Sequence, residues 1–256
     1  MGQPPPAPAG TPPRLCLLGG FNLIVQDQPV DLPIHAQRVL AYLSLLQPAQ
    51  RAHLRTGLAD RLWGSVSDKR AQASLRTALW RIRRADPRLV RASRETVLLD
   101  ESVDVDVRRC VAQASRLLAS NGELDPRDTE LSALRGDLLP GWDEDWLLLE
   151  RERIRQVQIH ALEALAHRLL RLGRHLEAIE AALAAIAEEP LRESAHAALI
   201  DIFLAEHNVA QARHQLDRYA ALLWSELAIK PSAELTNRVA AAAGALHDPL
   251  TSMTSR

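Results

Sequence analysis

Apolar residues recur along the chain with two different periods. Near the start they come in short runs: Leu15 to Leu18, then Phe21, Leu23 and Val25 alternating after Gly19-Gly20. A period of two with a glycine-containing turn predicts paired strands. Asp27-Gln28-Pro29 predicts another turn and Val30 to Leu32 a third short strand. Pro29 belongs at the sheet edge, where its missing N–H is tolerated. From His35 the spacing becomes helical. Val39, Leu40, Tyr42, Leu43 and Leu46 predict a helix from His35 to Leu46, with Pro33 suiting its start and Pro48 its stop. Leu54, Leu58, Leu62 and Trp63 stripe a second helix over Ala52 to Trp63, with Gly64 as its C-terminal breaker. Ser65 to Asp68 supplies a turn and an N-cap candidate.

The next helix, from Ser67 to Pro87, has two dissimilar faces. At about 100° per residue, Ala71, Leu75, Ala78, Leu79 and Ile82 share one sector. Lys69, Ala73, Thr77, Trp80 and Arg84 lie opposite, with Arg70 and Arg81 beside them and Arg76 and Arg83 on the flank. Such a helix suits a DNA groove. An ordinary solvated amphipathic helix has the same pattern, so the neighbours must decide. Ahead of it stand a helix and a short turn, which is helix-turn-helix grammar. Behind it, Leu89-Val90 and Val97 to Leu99 predict a β-hairpin whose tip carries Arg91 and Arg94, placed as a wing would be.

Val103, Val105 and Val107 point inward from an extended link. Helical spacing resumes with Val111, Ala114, Leu117 and Leu118. Breaks follow at Asn121-Gly122-Glu123, Asp125-Pro126 and Leu138 to Gly141. Trp142 and Trp146 stand at the head of a long helix. A ligand clamp is one reading of them, and packing anchors between helix pairs is the preferred one. From Ala161 an internal repeat has a period of 34, as between Leu170 and Leu204, Gly173 and His207, and Ala178 and Ala212. That is the tetratricopeptide period. Helices are predicted at 145–172, 175–188, 192–206, 209–227 and 232–246, stacked as a solenoid.

Charge separates the two parts. Residues 1–100 hold 14 Lys/Arg against 7 Asp/Glu, and residues 101–256 hold 17 against 25, so the net charge of −1 hides opposite halves. Between Arg51 and Arg94 there are 12 basic residues and 3 acidic ones. One half is composed for a polyanion. The fold class that follows is mainly α: a small α+β winged helix-turn-helix domain, then an all-α tetratricopeptide-like repeat domain. The expected divisions are a proline-rich disordered leader at 1–13, the winged helix at 14–101, the helical domain at 102–246 and a flexible tail at 247–256.

The strings LCLLGGFNLIV, AQRVLAYLSLL, LADRLWG, ASLRTALWRIRR and VDVDVRR, in that order, resemble the SARP family (Streptomyces antibiotic regulatory protein-like). LLPGWDEDWLLLERERIRQ is similar to the start of the bacterial transcriptional activator domain that follows in that family. The resemblance runs from Leu15 to about Val239. It implies an OmpR-like winged helix on double-stranded DNA, direct-repeat sites, a homodimer on DNA, contacts with RNA polymerase and its sigma factor, and control of secondary-metabolite gene clusters.

Arginine pairs with guanine through two hydrogen bonds and threonine can touch a thymine methyl. Arg70, Thr77, Arg81 and Arg84 are therefore the expected base contacts. Arg76, Arg83, Arg91 and Arg94 are the expected phosphate contacts, and Lys69 completes the set. Trp80 is expected to pack against the second domain ahead of stacking on DNA.

No catalytic or metal-binding pattern competes with this reading. His160 and His167, like His207 and His214, lack the spacing of metal ligands. No GxxxxGK[ST] phosphate loop exists. The histidines are expected on helix surfaces. Cys16 and Cys110 are expected to be reduced and buried. No cofactor, metal, enzyme activity or membrane partner is expected, and a cytoplasmic location is. Two alternatives stay open: a repeat domain that senses a small-molecule effector through Arg151, Arg153, Arg155, Arg168, Arg171 and Arg174, and a helical adaptor whose winged helix binds no DNA.

Overall fold

The computed structural model describes residues 11–45, 52–119 and 124–247. Residues 1–10 of the expected leader, Leu46, Pro48, the Asn121 to Glu123 break and the tail beyond His247 lie outside them. The described residues form two compact units. One comprises residues up to Cys110 together with Gly136–Ile154, and the other comprises Val111–Arg135 and Arg155 onward.

In the first unit, strands β1 (Arg14–Cys16) and β2 (Asn22–Val25) pair antiparallel, Arg14 opposite Ile24. The third strand, β3, lies at Gln28–Pro29 and not at Val30 to Leu32. Gln26 (φ 51°) and Asp27 (φ 60°) both take left-handed conformations. A two-residue turn of that kind matches strand twist, so the chain reverses one residue earlier than predicted. Pro29 does sit at the edge: the sheet order is β3-β2-β1-β7, where β7 (Asp104–Val105) runs parallel to β1. The following residue, Asp106, starts helix α4 (Asp106–Ala119), and its carboxylate accepts the amides of Leu17 and Leu18 at 2.8 and 2.9 Å. Burial pushes the Asp106 carboxyl up even so.

Helix α1 (Ile34–Leu45) starts directly after Pro33, whose carbonyl accepts the Ala36 and Gln37 amides. The helix predicted from Ala52 is shorter. His53 and Leu54 form strand β4, and helix α2 spans Arg55–Trp63. The edge of the wing draws them into a sheet: β4 pairs with β6 (Thr96–Leu99), which pairs with β5 (Val90–Ala92), in the order β4-β6-β5. Gly64 ends α2 at φ −60°, so a left-handed turn is not its role; a Cβ there would stand 2.7 Å from the Asp60 carbonyl oxygen. Helix α3 covers Asp68–Ala85 and buries Ala71, Leu75, Ala78, Leu79 and Ile82, the predicted five.

The stretch 136–154 belongs to this unit. Leu18 bridges Leu138, and the Leu139 amide donates to the Leu17 carbonyl at 2.9 Å. Trp142 stacks on Phe21 with centroids 6.2 Å apart, and Trp146 meets Tyr42 edge-on at 5.1 Å. Trp142 therefore anchors against the loop between β1 and β2, whereas Trp146 anchors its own helix against α1, as a packing anchor between helices would. Trp142 precedes helix α5 (Asp145–Arg171), and Trp146 is its second residue.

The second unit is helical. After the 3-10 turns Pro126–Thr129 and Leu131–Leu134 come the rest of α5, then α6 (His175–Glu188), α7 (Glu193–Ala205), α8 (Val209–Leu227) and α9 (Ala233–His247). Each of α6, α7 and α8 packs on its successor. The turn between α5 and α6 and that between α7 and α8 make the same hydrogen bonds 34 residues apart. Arg174 and Asn208 amides donate to Leu169 and Phe203 carbonyls; Gly173 and His207, both at positive φ, donate to Leu170 and Leu204. The alanines at the α6 interface, Ala178, Ala181, Ala182 and Ala185, are buried and let backbones approach. Leu118, expected inward on α4, is 56% exposed. Cys110 is buried and Cys16 half-buried, both as free thiols; burial pushes the Cys110 thiol up to about 11. Among the described residues no helix is long and apolar enough to cross a membrane.

His196 corrects the surface expectation for histidines. It is buried, stacked on Tyr219 at 4.1 Å, with Nε2 donating to the Pro190 carbonyl (2.9 Å) and Nδ1 accepting from Gln215 (2.8 Å). Both ring nitrogens suit only the neutral form, and burial holds the pKa below its ordinary 6.5. The unfolded chain takes up the proton first, so this stabilisation is present above pH ~6.5 and is lost as pH falls below it. The thermal midpoint, followed by circular dichroism, should drop between pH 7 and pH 5, and His196→Gln should narrow that drop.

Candidate nucleic-acid interface

Helix α3 forms because its apolar stripe has somewhere to go. It packs on α1 and α2 and touches β5. Burying a leucine or isoleucine stabilises by roughly 1.5–3 kcal/mol, and Leu75 and Ile82 are fully buried. The Val66 amide donates to the Trp63 carbonyl, and Arg70 and Ala71 amides donate to Ser67, so the turn leads straight into α3.

That packing leaves the basic side outward. Lys69, Arg70, Arg76, Thr77, Arg81, Arg83 and Arg84 are all exposed, as are Arg91 and Arg94 on the hairpin. The helix holds six basic residues and one acid, Asp68. Among the described residues no carboxylate pairs with Lys69, Arg70, Arg76, Arg81, Arg83, Arg84 or Arg94. Several arginines elsewhere are matched: Arg38 with Glu144, Arg116 with Asp128, Arg192 with Glu163 and Arg238 with Asp201. Unmatched like charges on one face attract a polyanion.

The two edges of α3 open on different grooves. On the wing side, a groove of about 730 Å³ brings Arg76, Arg83 and Arg84 together with Arg55 and Arg94. On the α1 side, Thr77 and Arg81 border a groove of about 360 Å³ with Pro33 and His35. The Thr77 hydroxyl donates back to the Ala73 carbonyl at 3.1 Å, which leaves its methyl as the group a groove would meet.

Trp80 lies among these arginines. It is 53% exposed and lines the wing-side groove. The guanidinium carbons of Arg81 and Arg84 lie 5.0 and 5.3 Å from its ring centroid. Cation–π attraction of this kind offsets part of the repulsion between two neighbouring arginines.

The hairpin base is electrostatically settled. Arg91 donates from Nε to Asp100 at 2.6 Å, and Arg88 pairs with Asp86 at 2.7 Å. Burial alone would raise both carboxyls. Hydrogen bonds from Arg88 to Asp86, and from Ser102 and Arg91 to Asp100, hold them below the usual range. Arg91 thus offers only its outer nitrogens.

Arg55 is the residue that sequence reasoning missed. Its amide donates to the Glu95 carbonyl at 2.7 Å and its Nη1 to the Ser93 carbonyl at 2.9 Å, so it ties the wing tip to the start of α2. Its place in the basic run was visible, but reading it inside a helix hid its link to the hairpin.

Four of the six arginines named for an anion sensor are otherwise engaged. Arg151 donates to the Leu138, Leu139 and Trp142 carbonyls, Arg153 pairs with Glu150, Arg155 with Glu189 and Arg174 with Glu177. Among the described residues no cluster of His, Cys, Asp and Glu could hold a metal ion.

A family model described as the bacterial transcriptional activator domain matches residues 103–241. No curated protein matches the sequence. Among solved structures the chain is similar to Mycobacterium tuberculosis EmbR, determined in complex with a low-affinity phosphopeptide. The TM-score is 0.71 at 22% identity, over 92% of this chain and 70% of that one. At that identity the likeness speaks for the fold, a winged helix with helical repeats. With the family model covering more than half of its 256 residues, this chain belongs to the bacterial transcriptional activator domain family, as a SARP-like transcriptional activator.

Proposed function

We propose that this transcriptional activator binds double-stranded DNA sequence-specifically, with α3 in the major groove and the β5–β6 hairpin against the backbone. The observation that carries the reading is the row of six exposed cations on one helix, α3, with no carboxylate paired to any of them among the described residues. Arg70, Thr77, Arg81 and Arg84 are assigned to base edges. Lys69, Arg76, Arg83, Arg91 and Arg94 are assigned to phosphates, and Arg55 joins them through the shared groove. Residues 14–101 supply the DNA contacts, and 136–154 complete their unit. Residues 102–246 supply self-association on direct repeats and contacts with RNA polymerase and its sigma factor at biosynthetic gene clusters. Support for those partners and targets is the family resemblance.

A genome-wide footprint of bound DNA tests the reading, followed by anisotropy titrations of the recovered duplex. The double change Arg81→Ala with Arg84→Ala should weaken specific binding by about 100-fold, from ~1–3 kcal/mol per base contact, with an unchanged melting curve. Unaltered affinity would count against α3 as the reading helix. Arg83→Ala should weaken specific and random duplexes alike and lower the salt slope by about 1.

A further inference from the structure

One guanidinium holds the end of α2. Arg38, on α1, donates from Nη2 to the Leu62 carbonyl at 2.7 Å. The same side chain pairs with Glu144, Nε to Oε1 at 2.7 Å and Nη2 to Oε2 at 2.7 Å. Its guanidinium carbon lies 5.7 Å from the centroid of Trp63. Glu144 is held in turn: Trp146 Nε1 donates to its Oε2 at 3.0 Å, and Trp146 rests on Tyr42 of α1. Only 19% of the Arg38 side chain and 18% of the Glu144 side chain are exposed.

The electrostatics order these contacts. The last carbonyls of a helix lack partners within the helix and carry partial negative charge, so a cation there is favourable. A guanidinium withdrawn from water needs a full countercharge as well. Leu62 offers only a dipole, and Glu144 brings the charge. Without it Arg38 gains by turning to solvent, and the Leu62 carbonyl loses its donor just where the chain leaves α2 for α3.

We propose that Glu144 is a positioning residue for DNA recognition: by neutralising Arg38 it keeps that side chain on the end of α2, and so sets the turn that aims α3. The inference rests on α3 being the DNA-facing helix. Glu144 lies within the residues matched by the activator-domain model and 106 positions from Arg38. A residue of the activator-domain stretch thereby acts on the reading head.

The test uses the full chain with Glu144→Gln, Glu144→Asp, Arg38→Gln and the Arg38→Gln, Glu144→Gln double variant. Each is titrated with the footprinted duplex and with a random duplex of equal length over a salt series. Amide exchange is followed in parallel. E144Q should weaken specific binding about tenfold, the effect of one charge-assisted hydrogen bond. Its salt slope should match wild type, because neither residue meets phosphate. The Val66 and Arg70 amides should exchange faster, while those of Arg174 and Asn208 keep their rates. E144D should recover most of the affinity, and the double variant should lose no more than R38Q alone.

Wild-type affinity and turn exchange in E144Q overturn the inference. So does faster exchange throughout the unit, since Glu144 would then be supporting the fold alone. A wild-type chain that binds no duplex overturns the proposed function and this inference with it. A wild type that binds while E144Q binds equally well overturns this inference alone.

Discussion

Removal of one face of α3 from water is the constraint on which the rest of the first unit depends. Ala71, Leu75, Ala78, Leu79 and Ile82 can be buried together only if α1, α2 and the β5–β6 hairpin surround them. Once they are, the rotation of the helix is set and the arginines have no choice but to face outward. Arg81 and Arg84 stand three apart, where like charges repel by a few tenths of a kcal/mol. The Trp80 ring between them and the partial negative charge at the helix C-terminus soften that cost. The unit accepts a surface poorly matched to itself, and a polyanion is what matches it.

The first unit is not a continuous piece of chain. Its sheet is closed by Asp104 and Val105, capped by the Asp106 carboxylate, and then bridged by Leu138 and Leu139. Trp142 and Trp146 cover Phe21 and Tyr42. These contacts combine backbone hydrogen bonds, the Asp106 carboxylate and ring packing, and Leu17, Leu138, Leu139 and Trp146 are buried. The region that aligns with the activator-domain family therefore contributes part of the scaffold of the unit that holds α3.

The second unit rests on small residues and on buried polar contacts. Alanines along α6 permit close backbone approach, and the turns at Gly173 and His207 repeat the same hydrogen bonds. The His196–Gln215 pair lies among apolar neighbours, and Tyr219 stacks on the histidine while reaching the Leu191 carbonyl. A buried network of this sort stabilises one arrangement because each alternative leaves a donor or acceptor unpaired.

Local pattern was enough for much of this. The period of apolar positions determined α1, α3 and α6 to α9 nearly to the residue, because burial of one stripe is a property of the helix itself. It also determined the buried five of α3 and the basic character of the opposite side. Residues whose environment is set by distant chain were not legible. His53 and Leu54 are strand because β6 passes beside them, and Trp142 and Trp146 meet Phe21 and Tyr42 because residues 136–154 return to the first unit. Arg55 joins the candidate interface through the wing tip, and His196 is buried by Gln215 and Tyr219 from a neighbouring helix. The sequence by itself determined which faces are apolar and which are charged. Tertiary structure decided which of those faces meet, because pairing between residues far apart in the chain is settled by the shape of the whole packed unit and leaves no period to read.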